Sequence, residues 1–359
     1  MVTRTVDYSA LTSQITGQEL AAFRAAKRAD PKYSTAAATA LFVTLIVVTV
    51  IMGAIFGLIA LGLFFTMMTA LIGGAWLALV GLLLPLLLVG MIGLLIWATV
   101  RAGGSGRWES WYRFEKFAAA NALTFSPVDA DPQYSGSIFQ NGYGRKALNH
   151  FRSAADRFLD YGNYQFETGS GKSHSTHTWG FLALALDRSL PNMVLDSKAN
   201  NGLFGGSNLA LYDKTQVLSL EGDFDNYFTL YCPAAYERDA LYVFTPDLMA
   251  LLIDNAAPFD VEIVDKWMFV YSASPFDLRQ PAVHHRVLSI VATVGAKTLT
   301  QTERYADERV GDVTANVVAP PGQRLKRRFP LAALIIVLVV GFGWIVPAIV
   351  GIVAAVFTR

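Results

Sequence analysis

The stretch Phe158-Leu-Asp-Tyr-Gly-Asn-Tyr-Gln-Phe-Glu-Thr168, Gly169-Ser-Gly-Lys-Ser-His-Ser175, Thr176-His-Thr-Trp-Gly-Phe-Leu-Ala-Leu-Ala-Leu186 decides the fold class. Aromatic, β-branched and aliphatic residues fill both outer segments, and a polar run rich in Gly and Ser parts them. That pattern predicts a long β-hairpin. Working outward, Met193–Leu195, Gln216–Leu220, Phe228–Cys232 and Leu241–Phe244 read as further short strands. Phe259–Val264 and Trp267–Tyr271, parted by Asp265-Lys266, read as a second hairpin. Thr245-Pro246-Asp247 opens a helix to about Asp254, with Thr as N-cap, Pro at the first position and Asp in the first turn. Val287 to about Asp307 reads as helical, and Asn200–Ser207 as a loop. Strands joined by short turns, with helices gathered at the ends, predict an antiparallel α+β domain.

Beyond this domain the chain is short of charge. Of its 359 residues 53% are hydrophobic and 16% charged, against about 25% charged in an average soluble domain. No Asp, Glu, Lys or Arg occurs from Tyr33 to Val100, nor from Phe329 to Thr358. A helix crosses a bilayer with about 20 apolar residues. The first block therefore suits two crossings, near 38–65 and 73–99, with a turn around Met67–Gly74. A third crossing there would leave almost no loop. The second block predicts one more, over 330–357. The expected layout is thus an N-terminal segment 1–36, a transmembrane hairpin 37–100, an α+β domain 101–328 and a C-terminal transmembrane helix 329–359. The polar start and the length of the first apolar block do not fit a cleavable signal peptide.

Charge sets the orientation. Arg24, Lys27, Arg28 and Lys32 precede the hairpin, and Arg101, Arg107, Arg113 and Lys116 follow it. Its turn carries none. Arg324, Lys326, Arg327 and Arg328 stand before the last span, with Arg359 alone after it. The positive-inside rule then predicts a cytoplasmic N-terminus and middle domain, with the C-terminus outside. The spans hold no ionisable residue, which disfavours transport. Gly53-x-x-x-Gly57, and Gly341, Gly343 and Gly351, have helix-packing spacing. Pro85 and Pro347 are expected to kink their helices. With its four terminal basic residues set aside, the middle domain is mildly acidic, which argues against nucleic acid as a partner.

Two flanking segments carry aromatic and basic signals. Thr16-Gly-Gln-Glu19 fits a capping box. The helix it opens, bearing Leu20 and Phe23, would rest either on the membrane surface or on the middle domain. Trp108, Trp111 and Tyr112 share one helical face, which fits headgroup anchoring or ordinary core burial.

A set of short motifs resembles a family of uncharacterised bacterial membrane proteins that combine an N-terminal two-helix hairpin with a conserved domain of unknown function. These are Tyr161-Gly-Asn-Tyr164, Thr168-Gly-Ser-Gly-Lys172, Trp179-Gly180, Leu220-Glu-Gly-Asp-Phe-Asp225, Tyr227-Phe228 and Ala240-Leu-Tyr-Val-Phe-Thr-Pro-Asp247. The resemblance covers roughly residues 100–275 and implies a bacterial inner membrane. It implies no activity. The final span departs from some members.

The chemistry-bearing motifs are sparse. Gly171-Lys172-Ser173 lacks the earlier glycine and the following helix of a P-loop. His174 and His177 flank the hairpin tip, with His284 and His285 far along the chain, and no carboxylate or cysteine stands at metal-ligand spacing. Glu221, Asp223 and Asp225 form the densest acidic cluster and a candidate cation site, but without EF-hand spacing. Cys232, the sole cysteine, lies in an apolar strand and reads as an inert buried thiol. No catalytic residue, cofactor or metal ligand is predicted. Three readings follow. The first is an interaction or assembly domain held at the bilayer, with a protein partner or a homo-oligomer formed through the membrane helices. The second is a module binding a lipid headgroup or small metabolite through Arg324, Lys326, Arg327, Arg328, Trp108 and Trp111. The third is an enzyme of unrecognised type.

Overall fold

The computed structural model describes residues 5–34, 36–74, 105–154, 157–200, 212–312 and 314–327, with a few positions between 87 and 97. The predicted last span, most of the second, and the greater part of the 200–207 loop lie outside these residues. Two compact units divide the chain. One is Thr12–Lys116; the other takes in the N-terminus to Leu11 and everything from Phe117.

In the helical unit, α1 (Gly17–Lys27) starts at the predicted capping box: Thr16 Oγ1 accepts from the Glu19 backbone N–H, and the Glu19 carboxylate accepts from the Thr16 N–H at 2.9 Å. Helix α2 (Ala36–Ile72) runs past the expected end at 65, and a turn follows it at Gly73-Gly74, where Gly74 takes φ 88°. Its section Ile46–Ile72 is long and apolar enough to cross a membrane and is largely exposed in the folded chain. Gly53 lies against Ile92: a Cβ there would stand 3.5 Å from the Ile92 Cγ2. Helix α3 (Ser105–Ala120) carries the Trp face. Phe23 of α1 packs edge-on to Trp108 and Tyr112, Tyr33 packs edge-on to Trp111, and Lys27 pairs with Glu115 at 2.6 Å.

The sheet unit is α+β, as the strand pattern predicts. Among the described residues, seven antiparallel strands run β1 (Leu123–Ala130), β2 (Tyr143–Ser153), β3 (Leu159–Thr168), β4 (Ser175–Ser197), β5 (Val217–Leu218), β6 (Phe228–Tyr231) and, later in the chain, β7 (Asp260–Ser272). Their order is β1-β2-β3-β4-β6-β5, with β7 along the other edge of β4. The opening hairpin forms in register from Leu159↔Leu184 to Thr168↔Ser175. Two expectations fail. Leu241–Phe244 is not a strand: Glu237 and Asp239 suit a helix first turn, and the segment belongs to helix α4 (Glu237–Val243). Nor is Asp265-Lys266 a hairpin turn. Both flanking runs pair with β4 as one strand, and Asp265, at φ 52°, marks a bulge within it.

Helix α5 (Pro246–Ala256) has the predicted Pro at its start. Helix α6 (Pro281–Ile290) passes through a π-helical turn into α7 (Ala296–Thr302). These helices cover the sheet face bearing Tyr161, Leu184 and Met268: the Tyr161 hydroxyl meets His284 Nδ1 at 2.9 Å, and Gly295 lets the π turn seat against Leu184. Strand alternation sends Tyr164, Phe181, Phe269 and Tyr271 to the opposite face, where they form an aromatic core with Tyr134, Ile138 and Phe139. The terminal hook is tied down by paired bonds between Asp7 and Asn121, each 2.8 Å.

Candidate functional site

The functional candidate arises where the central strand pair is irregular. Strand β4 contains Pro191, which has no N–H to give to a ladder. Its pairing with β7 shifts register between Ala185 and Leu190 and again between Leu190 and Met193, with Leu190 opposite Asp265. Bulges re-aim side chains and leave backbone groups without ladder partners. A later segment supplies those partners here. Asn316 Oδ1 accepts from the Ser189 N–H at 2.7 Å, its amide donates to the Asp187 carbonyl at 2.9 Å, and its own carbonyl accepts from Ser189 Oγ at 2.8 Å. Farther on, Gln216 and the Lys326 backbone exchange two bonds of 2.9 Å, and Tyr212 bridges to Arg327.

Between bulge and strap lies a cavity of about 910 Å³. Glu262 is its most deeply buried acid, 1% exposed. Glu262 Oε2 accepts from the Ser137 N–H at 2.7 Å and the Tyr271 hydroxyl at 2.8 Å, while Oε1 accepts no hydrogen bond among the described residues. Burial raises the Glu262 carboxyl above the usual carboxylate range, and hydrogen bonding from Ser137 and Tyr271, with the charge of Arg327, opposes that shift. Ser137 reaches Glu262 because Gly136 has no side chain; a Cβ there would lie 2.1 Å from the Tyr271 hydroxyl. Two more lining atoms, Asn192 Oδ1 and Ser137 Oγ, are buried with no hydrogen-bond partner among the described residues. Leu190, Val264, Val318 and Leu325 add apolar wall. Lys266, Arg324 and Arg327 line the cavity with exposed side chains that make no hydrogen bond or ion pair with the described residues. The lining thus combines exposed cations, apolar wall and buried hydrogen-bond acceptors.

Arg324 and Arg327, singled out from sequence, therefore border the cavity, whereas Lys326 points its backbone at Gln216 and is not among the lining residues. Arg328 lies outside the described residues. Trp111 is buried in the helical unit's aromatic cluster, and Trp108 is half-buried there. Neither lines the cavity. Glu221 and Asp223 are exposed, and Asp225 is taken up locally by the Ser219 hydroxyl and the Leu220 N–H. Among the described residues, no group of three His, Cys, Asp or Glu side chains could hold a metal. Gly171–Ser173 is a single 3-10 turn at the hairpin tip, His174 pairs with Glu167 at 3.1 Å, and His177 meets the Thr168 hydroxyl. Cys232 is fully buried and its thiol is pushed up to about 11 by burial, with Glu237 and Asp239 adding to the shift. Asp239 pairs with Arg309 at 2.9 Å.

Sequence reading missed Glu262, Asn192 and Gly136. A carboxylate in the apolar run Val261-Glu-Ile-Val264, and a proline inside a strand beside Asn192, were the available signals. It also missed a buried charge cluster outside the cavity. Asp160 receives the Tyr134 hydroxyl at 2.5 Å, His150 Nδ1 at 2.7 Å and the Arg152 guanidinium at 3.0 Å, and His150 Nε2 lies 3.1 Å from Asp129. With Asp160 wholly buried and His150 2% exposed, this network braces β1, β2 and β3. No family model, no curated protein and no solved structure matches the chain.

Proposed function

We propose that this protein is a membrane-anchored binding module whose α+β domain holds a small polar molecule in the cavity between β4, β7 and the strap 316–327. The observation that carries the reading is that one cavity is lined both by buried polar atoms without a partner and by exposed cations without an ion-pair partner among the described residues. Buried polar groups in folded proteins are ordinarily satisfied, and concave sites with a few convergent polar groups are where ligands bind. Apolar wall and cationic rim suit an anion with a larger body, which is the headgroup-or-metabolite reading rather than a flat assembly surface. The anchor is a hairpin of two transmembrane helices that turns at Gly73-Gly74, followed by a third over 330–357, in a bacterial inner membrane, with the N-terminus and the sheet domain cytoplasmic. The apolarity of Ile46–Ile72 and the distribution of Lys and Arg support that anchor.

The test is native mass spectrometry of the full chain extracted in mild detergent, beside the variant Val317→Trp. Val317 lines the cavity but is half-exposed, so an indole there blocks the chamber without entering the core. The wild type should retain a small molecule that the variant lacks. Identical bound species in both, or none in either, would overturn the reading.

A further inference from the structure

We infer that the molecule held in the cavity is a phosphate ester of a polyhydroxy compound, its phosphate at Lys266, Arg324 and Arg327 and its hydroxyl groups directed to Glu262 and Asn192. This rests on the binding reading above and names the ligand's chemistry.

The rim decides the charged end. Three cationic side chains without an ion-pair partner among the described residues line the cavity, against the single exposed acid Asp265 and the buried Glu262. A single carboxylate fills one arginine fork. A phosphate has the charge and oxygens to engage two arginines and a lysine together. The chamber is far larger than a phosphate ion needs, so the anion carries a body inward. The base decides what that body presents. Glu262 Oε1 and Asn192 Oδ1 are acceptors with no donor from the described residues, and Ser137 Oγ beside them is also unpartnered. The complementary ligand groups are donors. Ammonium is a donor too, but it would add a fourth cation to a chamber lined by three against two acids. Hydroxyl groups donate without that cost, and they can also accept from Ser137. The apolar residues Leu190, Val264 and Val318 then face the carbon skeleton.

Such an ester occurs free in solution or as a glycerophospholipid headgroup, and one experiment separates these sources. The full chain is placed in phosphatidylcholine nanodiscs and titrated with glycerol, inorganic phosphate, phosphoethanolamine and glycerol 3-phosphate. A parallel preparation carries phosphatidylglycerol, and retention of that lipid is read by native mass spectrometry. The expected result is that glycerol 3-phosphate binds more tightly than phosphate or phosphoethanolamine, that phosphatidylglycerol is retained selectively, or both, with glycerol alone silent. Binding of the soluble ester assigns the free source, and retention of the lipid alone assigns the bilayer.

Arg324→Glu with Arg327→Glu should weaken binding by about tenfold or more, as loss of charge-assisted hydrogen bonds requires. Asn192→Leu should weaken glycerol 3-phosphate several-fold and leave inorganic phosphate unchanged, a split that a merely structural defect would not produce. Unchanged affinity in the double arginine variant, or tighter binding of phosphoethanolamine, overturns the assignment. Suppose that neither ester binds but Val317→Trp still expels some other molecule. The ligand class is then wrong and the binding reading stands. If nothing is expelled, both fall.

Discussion

Asp260 and His284 show how single buried residues set this domain's response to pH. Both are fully buried. Asp260 Oδ1 accepts from the Ser197 N–H at 2.8 Å, but burial, with Asp196 adding to it, raises its carboxyl to about 7. The folded state therefore keeps the proton that the unfolded chain loses near 3.8, and stability falls as pH rises from about 4 to 7. His284 has the opposite sign. Burial lowers its imidazole to about 4, with the bond to the Leu278 carbonyl opposing, so the folded state excludes a proton that the unfolded chain takes up below 6.5. Stability from His284 is lost as pH falls from 6.5 to 4. Over that window the two slopes offset each other. Asp260→Asn removes one of them and keeps an acceptor for Ser197. Its melting midpoint relative to wild type should climb between pH 4 and 7 by the equivalent of roughly 4 kcal/mol, a shift of about three pKa units at about 1.4 kcal/mol each. Parallel midpoints across that range, measured on the full chain in detergent, would show that Asp260 is ionised in the folded state.

Among the elements, the bulged stretch of β4 and the strap that crosses it depend on each other. The strap has little regular structure of its own, and Pro191 leaves β4 unable to complete a ladder at the same point. Asn316 settles both by bonding to Ser189 and Asp187. Asn316→Ala removes the bond to the buried Ser189 N–H and the bond to the exposed Asp187 carbonyl, where water can take its place. The local cost is about 1–3 kcal/mol, set by the Ser189 N–H left without a partner. Amide exchange at Ser189 should accelerate while the 159–168 and 175–184 hairpin keeps its protection, and cavity affinity should fall. Uniform loss of protection across the sheet would instead make the strap part of the global core. This dependence also explains what could be read in advance. The 158–186 hairpin was legible because its alternation and turn chemistry are local, and so was the Thr16 capping box. The β7 bulge was not, because Asp265-Lys266 has the composition of a turn and only pairing with β4 on both sides makes it a bulge. Strands β1 and β2 went unread because Pro127 and the polar residues Asn149, His150 and Arg152 interrupt their periodicity, while their stability comes from Phe151 and the Asp160 network reached only in three dimensions. Arg324 and Arg327 stood out as charge beside an apolar block, but nothing local placed Glu262 near them.

At the scale of the whole molecule, the strap joins the cavity wall to the apolar block 329–358 with only Arg328 between Arg327 and that block. Arg324 and Arg327 border the proposed ligand site, and on the proposed topology they belong to the basic cluster that would orient the last span. These two demands point the same way. Lys and Arg beside a span hold that end on the cytoplasmic side, and an anionic leaflet concentrates the phosphate-bearing molecules that the cavity rim attracts. The residues before α2 and after residue 100 carry the same sign, whereas Gly73-Gly74 and its neighbours carry none, so every basic cluster falls on one side only if the C-terminus is outside. A reporter active only in the cytoplasm, fused after Thr358, should be silent, and one inserted in the exposed hairpin tip at Gly171 should be active. Moving the charge tests the cause: replacing Arg324, Lys326, Arg327 and Arg328 by Gln and adding Lys after Thr358 should shift part of the population to a cytoplasmic C-terminus. An active reporter after Thr358 in the unmodified chain would break the link between ligand rim and topology, because the strap would then not feed a span that leaves the cytoplasm.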